Sequence, residues 1–331
     1  MEKREFAGID VSKSTIDVCL FDKKSHSQFE NNEKGFKKLT KWVEKATGKR
    51  IYDIEFCFEH TGLYSLPLGL YLELNKVCFY VVSGLLVKRS LGLKRGKSDR
   101  IDAFDLARFA YFHHSELKPY KLPSRSILKL KELQSFRTRL IKQRATYKTH
   151  IKEMKQVLGY DNEEPIISAS MELIKAFTEK IKTIENEMMQ YIKADEELSK
   201  TYKNITTIKG VGMIVAIAVL TATNNFHNFD NWRQFACYSG IAPFEHQSGI
   251  SYRGKTRISA LGNRQLKTLL SQAAASSIQF NPEMRLYYQR RLSEGKNKMS
   301  TLNIIRNKIV SRIFAVAKRM TPYVDTYKYA A

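Results

Sequence analysis

The first third of the chain alternates apolar and polar residues in stretches typical of short strands and helices. Two of these stretches are separated only by the polar residues Ser12 to Ser14, which predicts a β-hairpin. The predicted strands cover residues 6–11, 15–21, 28–31, 54–59 and 77–82, and the predicted helices cover residues 36–43, 64–74 and 99–111. The order of elements is therefore βββαβαβα.

Three antiparallel strands followed by alternating helices and strands are the order of an α/β ribonuclease H-like domain. Domains of this kind carry carboxylates on their sheet. The order predicts the fold class of the N-terminal region, but a fold alone does not determine a function.

Beyond Pro119 and Pro123 the pattern changes to long, charged helices. A helix is predicted over residues 127–158, and the stretch from Gly159 to Pro165 predicts a turn after it. In the helix that follows, apolar residues repeat at alternating steps of three and four, which is coiled-coil spacing. These residues are Met171, Ile174, Phe177, Ile181, Ile184, Met188 and Tyr191. The two helices together predict an antiparallel helical hairpin that serves as a spacer.

The remaining sequence predicts a mainly α-helical C-terminal domain, so the expected domains are 1–120, 121–203 and 204–331. The run Gly210-Val211-Gly212 stands before an apolar helix. It fits a helix-hairpin-helix turn that presents backbone amides to a phosphate, and it fits equally a tight turn before a buried helix.

Charge and cysteine usage narrow the classes of function. The 331 residues include 56 lysines and arginines against 33 aspartates and glutamates, a formal net charge of +23 that predicts a polyanionic partner. The four cysteines form no CxxC pair, so neither disulfides nor structural zinc are expected. The longest apolar stretch, residues 213–220, is too short to cross a bilayer, and we expect a soluble cytoplasmic protein.

Four acidic residues are candidate metal ligands. Asp10 lies on the first strand among apolar residues, where a carboxylate is costly unless a cation or hydrogen bonds compensate it. Glu59 ends the fourth strand, which is expected beside the first. Asp99 and Asp102 lie three residues apart at a helix start and so share one face. Such oxygen ligands suit Mg²⁺ or Mn²⁺ ions that promote phosphodiester cleavage.

An alternative interpretation treats Asp99 as a helix cap and Asp102 as a solvated first-turn acid. The strand positions of Asp10 and Glu59 favour the metal site over this alternative. Asp105 continues the same spacing and competes as a ligand, although a surface or supporting position is the preferred interpretation.

Two basic segments are candidate phosphate contacts. The loop predicted before the helix at 99–111 contains Lys88, Arg89, Lys94, Arg95, Lys97 and Arg100. Near the C-terminus, the segment 247–257 combines Ser248 with the cations Arg253, Lys255 and Arg257 and contains no acid. A serine hydroxyl becomes a nucleophile only with a base or a metal, and a loop serine is the alternative interpretation of Ser248.

At these residues the chain resembles the DEDD-type transposases of the IS110 insertion-sequence family, the bridge-RNA-guided recombinases that include Piv-type DNA invertases. The N-terminal motifs are Gly8-Ile9-Asp10, Glu59-x-Thr61-Gly62-x-Tyr64 and Lys97-x-Asp99-x-x-Asp102-Ala103. The C-terminal motifs are Gly210-Val211-Gly212, the stretch 235–243, Ser248-Gly249, Arg253-Gly254 and Gly262-Asn263. The resemblance spans nearly the whole chain.

The resemblance implies that Asp10, Glu59, Asp99 and Asp102 form the metal-binding tetrad of a RuvC-like domain, similar to the Holliday-junction resolvases. It places Ser248 at the catalytic serine and implies a covalent phosphoserine intermediate with DNA. It further implies donor and target DNA as substrates, a structured guide RNA, and a homo-oligomer, a dimer or a tetramer. The expected location is the cytoplasm of a bacterium or an archaeon, in association with the nucleoid.

Three other functions stay open at this point. A DNA invertase of the same family would share the chemistry and the motifs. In a junction-resolving nuclease, water would attack and Ser248 would be structural. In a non-catalytic assembly factor that binds nucleic acid, the carboxylates would have no chemical role.

Overall fold

A computed structural model describes residues 4–92, 98–248 and 252–325 of the chain, with the backbone alone at positions 246, 248, 252, 253 and 255. The chain divides into two compact units, residues 1–122 and 123–331. They are called the N-terminal unit and the C-terminal unit.

The N-terminal unit is a mixed α/β structure, as its sequence pattern predicts. Its strands are β1 Glu5–Val11, β2 Thr15–Leu20, β3 His26–Glu30, β4 Ile54–Glu59 and β5 Phe79–Val82. Its helices are α1 Glu33–Thr47, α2 Leu66–Leu74, α3 Gly84–Ser90 and α4 Asp99–His113, and a 3₁₀ turn covers Ile51–Asp53. Helix α3 lies where the sequence pattern predicted a loop. That prediction was wrong because Val87 packs inward and gives this short segment a buried side.

The five strands form one sheet in the order β3-β2-β1-β4-β5. Strand β2 is antiparallel to both β1 and β3, whereas β4 is parallel to both β1 and β5. The register places Asp10 opposite Asp17 on β2 and Ile9 opposite Phe58 on β4. The carboxyl ends of β1 and β4 therefore meet at one edge of the sheet.

Alternation along the strands separates two buried layers on the two faces of the sheet. The side chains of Ala7, Ile9 and Val11 belong to a core shared with α1 and α2. On the other face, Phe6 belongs to a second core formed with α3 and α4. Residues at even positions of β1, including Asp10, therefore face α4.

The C-terminal unit is mostly helical, as expected. Its helices are α5 Arg125–Leu158, α6 Pro165–Ala194, α7 Glu196–Ile205, α8 Met213–Thr223, α9 Trp232–Tyr238, α10 Arg264–Phe280, α11 Pro282–Ser293 and α12 Lys298–Arg319. Two strands, β6 Pro243–Ser248 and β7 Tyr252–Ile258, pair in an antiparallel manner. Helix α8 is buried along most of its length because nearly all of its residues are apolar.

Helices α5 and α6 run antiparallel and contact each other through side chains. Arg137 Nε donates to Glu185 at 2.7 Å, and Arg144 donates to Thr178 Oγ1 at 3.1 Å. Near α5's first turns, Ile127 and Leu130 share one buried core with α8, α10 and α12. The start of α5 is therefore part of the core of the C-terminal unit.

The β6–β7 hairpin occupies the basic segment that contains Ser248, for which a loop was one interpretation of the sequence. Its base is fixed by the close approach of Gly240 and Gly262, since a Cβ atom on Gly262 would overlap the backbone of Gly240. Gly240 also has a positive φ of 67°, a conformation that favours glycine. Local strand propensity is weak here, so tertiary contact at the base of the hairpin supplies the order.

No helix in the described part of the chain is long and apolar enough to cross a membrane. All four cysteine thiols are free, and Cys19 and Cys57 are buried.

Candidate functional site

The candidate site is built on the α4-facing side of the N-terminal sheet. Gly8 lies two residues before Asp10 on the same face, and a Cβ atom on Gly8 would overlap the Ala103 carbonyl oxygen and the Ala107 nitrogen. The missing side chain lets α4 pack directly on β1. Because Asp99 lies one turn before Ala103, this close packing brings the start of α4 to Asp10.

Glu59 ends β4 on the same sheet face as Asp10. The register pairs Ile9 with Phe58, so the next positions along the parallel strands are those of Asp10 and Glu59. The Glu59 side chain is exposed, and its carboxylate lies against Gly84, where a Cβ atom would overlap both carboxylate oxygens. Gly84 at the start of α3 thus makes room for this carboxylate.

Asp99 and Asp102 occupy the first turn of α4. Ser98 caps the helix by accepting a hydrogen bond from the Ile101 amide at 3.3 Å. The cap reading of Asp99 is therefore wrong, since the neighbouring serine has that role. Asp102 is half-buried and Asp99 is exposed, and negative charge in a first helical turn is favoured by the helix dipole.

A fifth carboxylate, Asp17, was missed by reasoning from the sequence. It lies opposite Asp10 on β2 and is buried, with 6% of its surface exposed. His26 Nε2 lies 2.8 Å from one of its oxygens, and Gln28 donates to the other at 2.9 Å. The signal in the sequence was the alternation of Asp17 with the buried Ile16 and Val18, which places an acid on the same sheet face as Asp10.

The acidic residues on this sheet face act on Asp10. Burial, which is the largest cause, and the negative charges of Asp102, Asp99, Asp17 and Glu59, in that order of importance, together raise the pKa of Asp10 from its ordinary value of 3.8 to about 6. All four predicted ligands therefore lie close enough to interact electrostatically. A cation placed among them would reverse the effect on Asp10.

The donor set suits a hard divalent cation, because Mg²⁺ and Mn²⁺ prefer carboxylate oxygens. Among the described residues, however, no three acidic, histidine or cysteine side chains are arranged to hold one ion together. The acidic side chains nevertheless lie on one face, where burial and neighbouring negative charges raise the pKa of Asp10. The residues present fit a metal in chemistry and location.

The structure describes some of the basic residues that were predicted to lie beside the carboxylates. Lys88 and Arg89 are exposed in the last turn of α3, and Arg100 is exposed in the first turn of α4. Arg100 is near enough to β2 that its charge lowers the pKa of Cys19, which burial raises. Lys94, Arg95 and Lys97 lie outside the described residues. Asp105 is half-buried on α4 and has interactions of its own.

In the C-terminal unit, Ser248 is the last residue of β6, and the register pairs it with Tyr252. The side chains of Ser248, Arg253 and Lys255 lie outside the described residues. Arg257 is exposed on β7, opposite Phe244. The candidate serine is thus placed at the tip of a hairpin whose base is anchored in the unit's core.

A predicted glycine motif and the apolar side of one helix have structural roles in the C-terminal unit. Gly210 has a φ of 95°, and a Cβ atom there would come within 2.5 Å of the Ala273 carbonyl oxygen of α10. The Gly210-Val211-Gly212 run is therefore a turn before the buried helix α8, the second of its two interpretations. On α12, an apolar stripe packs into the core of the C-terminal unit; its members are Ile305, Ile309, Ile313 and Val316.

Family models match both units of the chain. A model of DEDD-type IS110 transposases matches residues 7–158, and a model of the IS116/IS110/IS902 transposase family matches residues 202–289. The first match includes Asp10, Glu59, Asp99 and Asp102, and the second includes Ser248.

Full-length relatives agree with these matches. The pilin gene-inverting protein of Moraxella bovis is 26% identical over 97% of this chain and 98% of its own length. The transposase for insertion sequence element IS1111A of Coxiella burnetii is 22% identical over 98% of this chain and 92% of its own length. The insertion element IS110 protein of Streptomyces coelicolor is 30% identical, over 36% of this chain.

Proposed function

Because this chain belongs to the IS110 family and is a DNA transposase or recombinase, we propose that it excises and inserts a mobile element by metal-assisted attack of Ser248 on DNA phosphodiesters. The observation that carries the proposal is the row of carboxylates on the α4-facing side of the sheet, with its raised Asp10 pKa. The proposed metal ligands are Asp10, Glu59, Asp99 and Asp102.

The N-terminal unit is proposed to be a RuvC-like, ribonuclease H-like domain. The strand order β3-β2-β1-β4-β5, with only β1, β4 and β5 parallel, supports this assignment. So does the position of the acids, which lie where the carboxyl ends of the parallel strands β1 and β4 meet. The sheet would then hold the acids at fixed separations.

Bound Mg²⁺ or Mn²⁺ would activate the attacking oxygen and stabilise charge on the leaving oxygen at the scissile phosphate. The residues of this chain have distinct parts in that arrangement. Glu59 and Asp10 hold oxygen ligands at the ends of neighbouring strands, while α4 supplies Asp99 and Asp102 from its first turn. Asp17, held by His26 and Gln28, adds negative charge behind Asp10.

Ser248 is proposed as the nucleophile. Its Oγ would form an ester bond to phosphorus as the bond from phosphorus to the leaving DNA oxygen breaks. The serine proton passes to a base, and the leaving oxygen takes up a proton or remains available to reverse the step. A hairpin tip is suited to this role because it projects from a rigid core.

The partners proposed are donor DNA, target DNA and a structured guide RNA, and the net charge of +23 supports polyanionic partners. The contacts proposed for them include Lys88, Arg89, Lys94, Arg95, Lys97, Arg253, Lys255 and Arg257. The helices α5 and α6 are proposed to act as a coiled-coil spacer in a homo-oligomer. Sequencing the RNA that co-purifies with the protein tests the guide directly.

A covalent protein–DNA adduct tests the serine mechanism. Purified protein, labelled DNA carrying the element's ends, guide RNA and Mg²⁺ should give a labelled band that survives denaturing electrophoresis. Ser248→Ala should abolish the adduct, and Ser239→Ala, a buried serine of the same unit, serves as the control. Cleavage without any adduct would instead indicate attack by water, as in a junction-resolving nuclease.

DNA inversion is a second candidate function. The full-length relative from Moraxella bovis is a pilin gene-inverting protein, which favours an invertase that uses the same site. Incubation with a plasmid carrying the flanking sequences in inverted orientation distinguishes the two functions, because an invertase flips the enclosed segment and a transposase releases it.

A further inference from the structure

A cavity in the C-terminal unit, lined by both polar and apolar residues, has no part in the chemistry described so far. It lies between α5, α8 and α10 and has a volume of about 350 Å³. This is within the range of roughly 300–1,000 Å³ typical of ligand sites. The cavity is large enough for one small ligand and lies wholly within one unit.

One face of α5 lines the cavity with polar side chains at helical spacing. The residues are Lys131, Gln134, Ser135, Thr138, Arg139 and Lys142. A helix that packs against α8 and α10 would ordinarily present an apolar stripe along this face. Here the stripe is polar, and it faces a gap rather than a packed core.

Three of the lining residues are cations, and no acid lines the cavity. Within the described parts of the chain, Lys131, Arg139 and Lys142 form no ion pair; Arg139 lies over the ring of Phe136, with its guanidinium carbon 5.5 Å from the ring centre. Burial lowers the pKa of Lys131. Cations gathered without a counter-charge indicate an anionic ligand.

The other lining groups are suited to a base and to hydrogen bonds. Tyr238 is 45% exposed, and one side of its ring contacts Phe229 with 5.4 Å between the ring centres. Gln134 accepts from Thr221 Oγ1 at 3.1 Å, and Gln265 donates to Thr138 at 3.0 Å. These contacts hold two amide side chains in defined orientations at the cavity wall.

The cavity is joined to the hairpin that carries Ser248. The Asn263 amide donates to the Tyr238 carbonyl at 2.8 Å, and both residues line the cavity. They flank Gly240 and Gly262, whose close approach fixes the base of the hairpin. A ligand in the cavity therefore lies at the foot of the element that carries the proposed nucleophile.

We propose that this cavity binds one unstacked nucleotide of a single-stranded nucleic acid, with its phosphate at Lys131, Arg139 and Lys142 and its base on Tyr238. Single strands are bound in this way, by cations along the backbone and aromatic rings under the bases. The inference rests on the family's action on nucleic acid. It does not depend on the metal site or on Ser248.

The test measures binding of fluorescent single strands of about 10 nucleotides by full-length protein, in EDTA and over a range of salt concentrations. DNA and RNA strands of the same sequence form separate arms. Preference for RNA would identify the ligand as the guide, and preference for DNA would identify a donor or target strand. Because no cleavage is read out, failure of the proposed chemistry leaves this result unaffected.

The double variant Arg139→Gln/Lys142→Gln should bind more weakly. The slope of log affinity against log salt should become shallower by up to about 0.7, since the cavity contacts one phosphate and each phosphate neutralised on a single strand contributes about 0.7. The matched control, Lys148→Gln/Lys152→Gln, removes the same charge from exposed positions of the same helix outside the cavity. Its slope should equal that of the native protein.

Tyr238→Leu should weaken binding by roughly 5- to 150-fold, the effect of losing one stacked base, whereas Tyr238→Phe should retain binding. Thermal unfolding of each variant checks that the fold is intact, and mapping of photo-cross-links between the strand and Tyr238 gives a readout independent of stability. The proposal would be overturned if the cavity double variant and the control double variant lost equal affinity for the single strand. It would also be overturned if Tyr238→Leu bound with native affinity and no cross-link formed at Tyr238.

Discussion

Replacing Asp10 by asparagine should stabilise the protein in the absence of metal. The side chain keeps its size but loses the charge that burial and four neighbouring acids disfavour. A pKa raised from 3.8 to about 6 corresponds to about 3 kcal/mol, at 1.36 kcal/mol per pH unit. Because Asp10 is only half-buried, solvent screening reduces the expected gain to roughly 1–2 kcal/mol.

The sign of the pH dependence follows from the direction of the shift. Between about pH 4 and pH 6 the folded protein binds more protons at Asp10 than the unfolded chain does, so stability falls as pH rises through this window. Above it the penalty is constant. The stabilisation by Asp10→Asn should therefore be absent near pH 4 and complete at neutral pH.

Urea unfolding in EDTA at several pH values measures this difference. Asp53→Asn, an exposed aspartate of the same unit, is the matched control and should change stability by less than about 0.5 kcal/mol. If Asp10→Asn were as stable as the native protein at neutral pH, or less stable, the acids of this face would not repel one another as described. The same variant should be inactive in DNA cleavage.

Three further predictions concern packing, an ion pair and metal binding. Gly8→Ala should destabilise the N-terminal unit by about 3 kcal/mol in urea unfolding and abolish cleavage, because its methyl group overlaps the α4 backbone. Arg312→Gln should lower the free energy of unfolding by about 1–2 kcal/mol, because Arg312 contacts both oxygens of Glu283 at 2.7 and 2.8 Å. Arg290→Gln, which removes an exposed ion pair, should lower it by less than about 0.5 kcal/mol. Saturating Mg²⁺ should raise the native protein's stability by about 3 kcal/mol at a hundred times its dissociation constant, and should raise that of Asp10→Asn much less; an equal rise in both would place the ion elsewhere.

Much of the N-terminal fold follows from local pattern. Strand alternation near Ile9 and Ile16 and helical spacing around Phe36 and Leu39 reflect a buried face, and burial is what the sequence pattern records. The predicted convergence of Asp10 and Glu59 on one sheet face required only the alternation of side chains and a parallel pairing of their strands. The structure has that pairing.

Local alternation indicates the sheet face of Asp17, but its position beside Asp10 depends on how the strands pair. Asp17 enters the site through the exact register of the β1–β2 hairpin, and a shift of one residue would turn it to the other face. His26 and Gln28 act only through Asp17.

The C-terminal unit was less predictable because its order comes from contacts distant in sequence. Strands β6 and β7 are largely polar, and β7 contains a glycine, Gly254; the approach of Gly240 to Gly262 fixes the base of their hairpin. The cavity beside α5 could not be predicted either. A row of polar residues that includes Lys131 and Arg139 is typical of a solvent-exposed helix face, and only the folded structure shows that α8 and α10 lie opposite it.

Binding of Mn²⁺ to the full-length protein, followed by electron paramagnetic resonance, tests the central claim that acids of β1, β4 and α4 form one cation site. Glu59→Gln and Asp102→Asn, on different elements, should each weaken binding by at least about tenfold. Asp53→Asn should bind as the native protein does. Native affinity in both of the site variants would contradict the account.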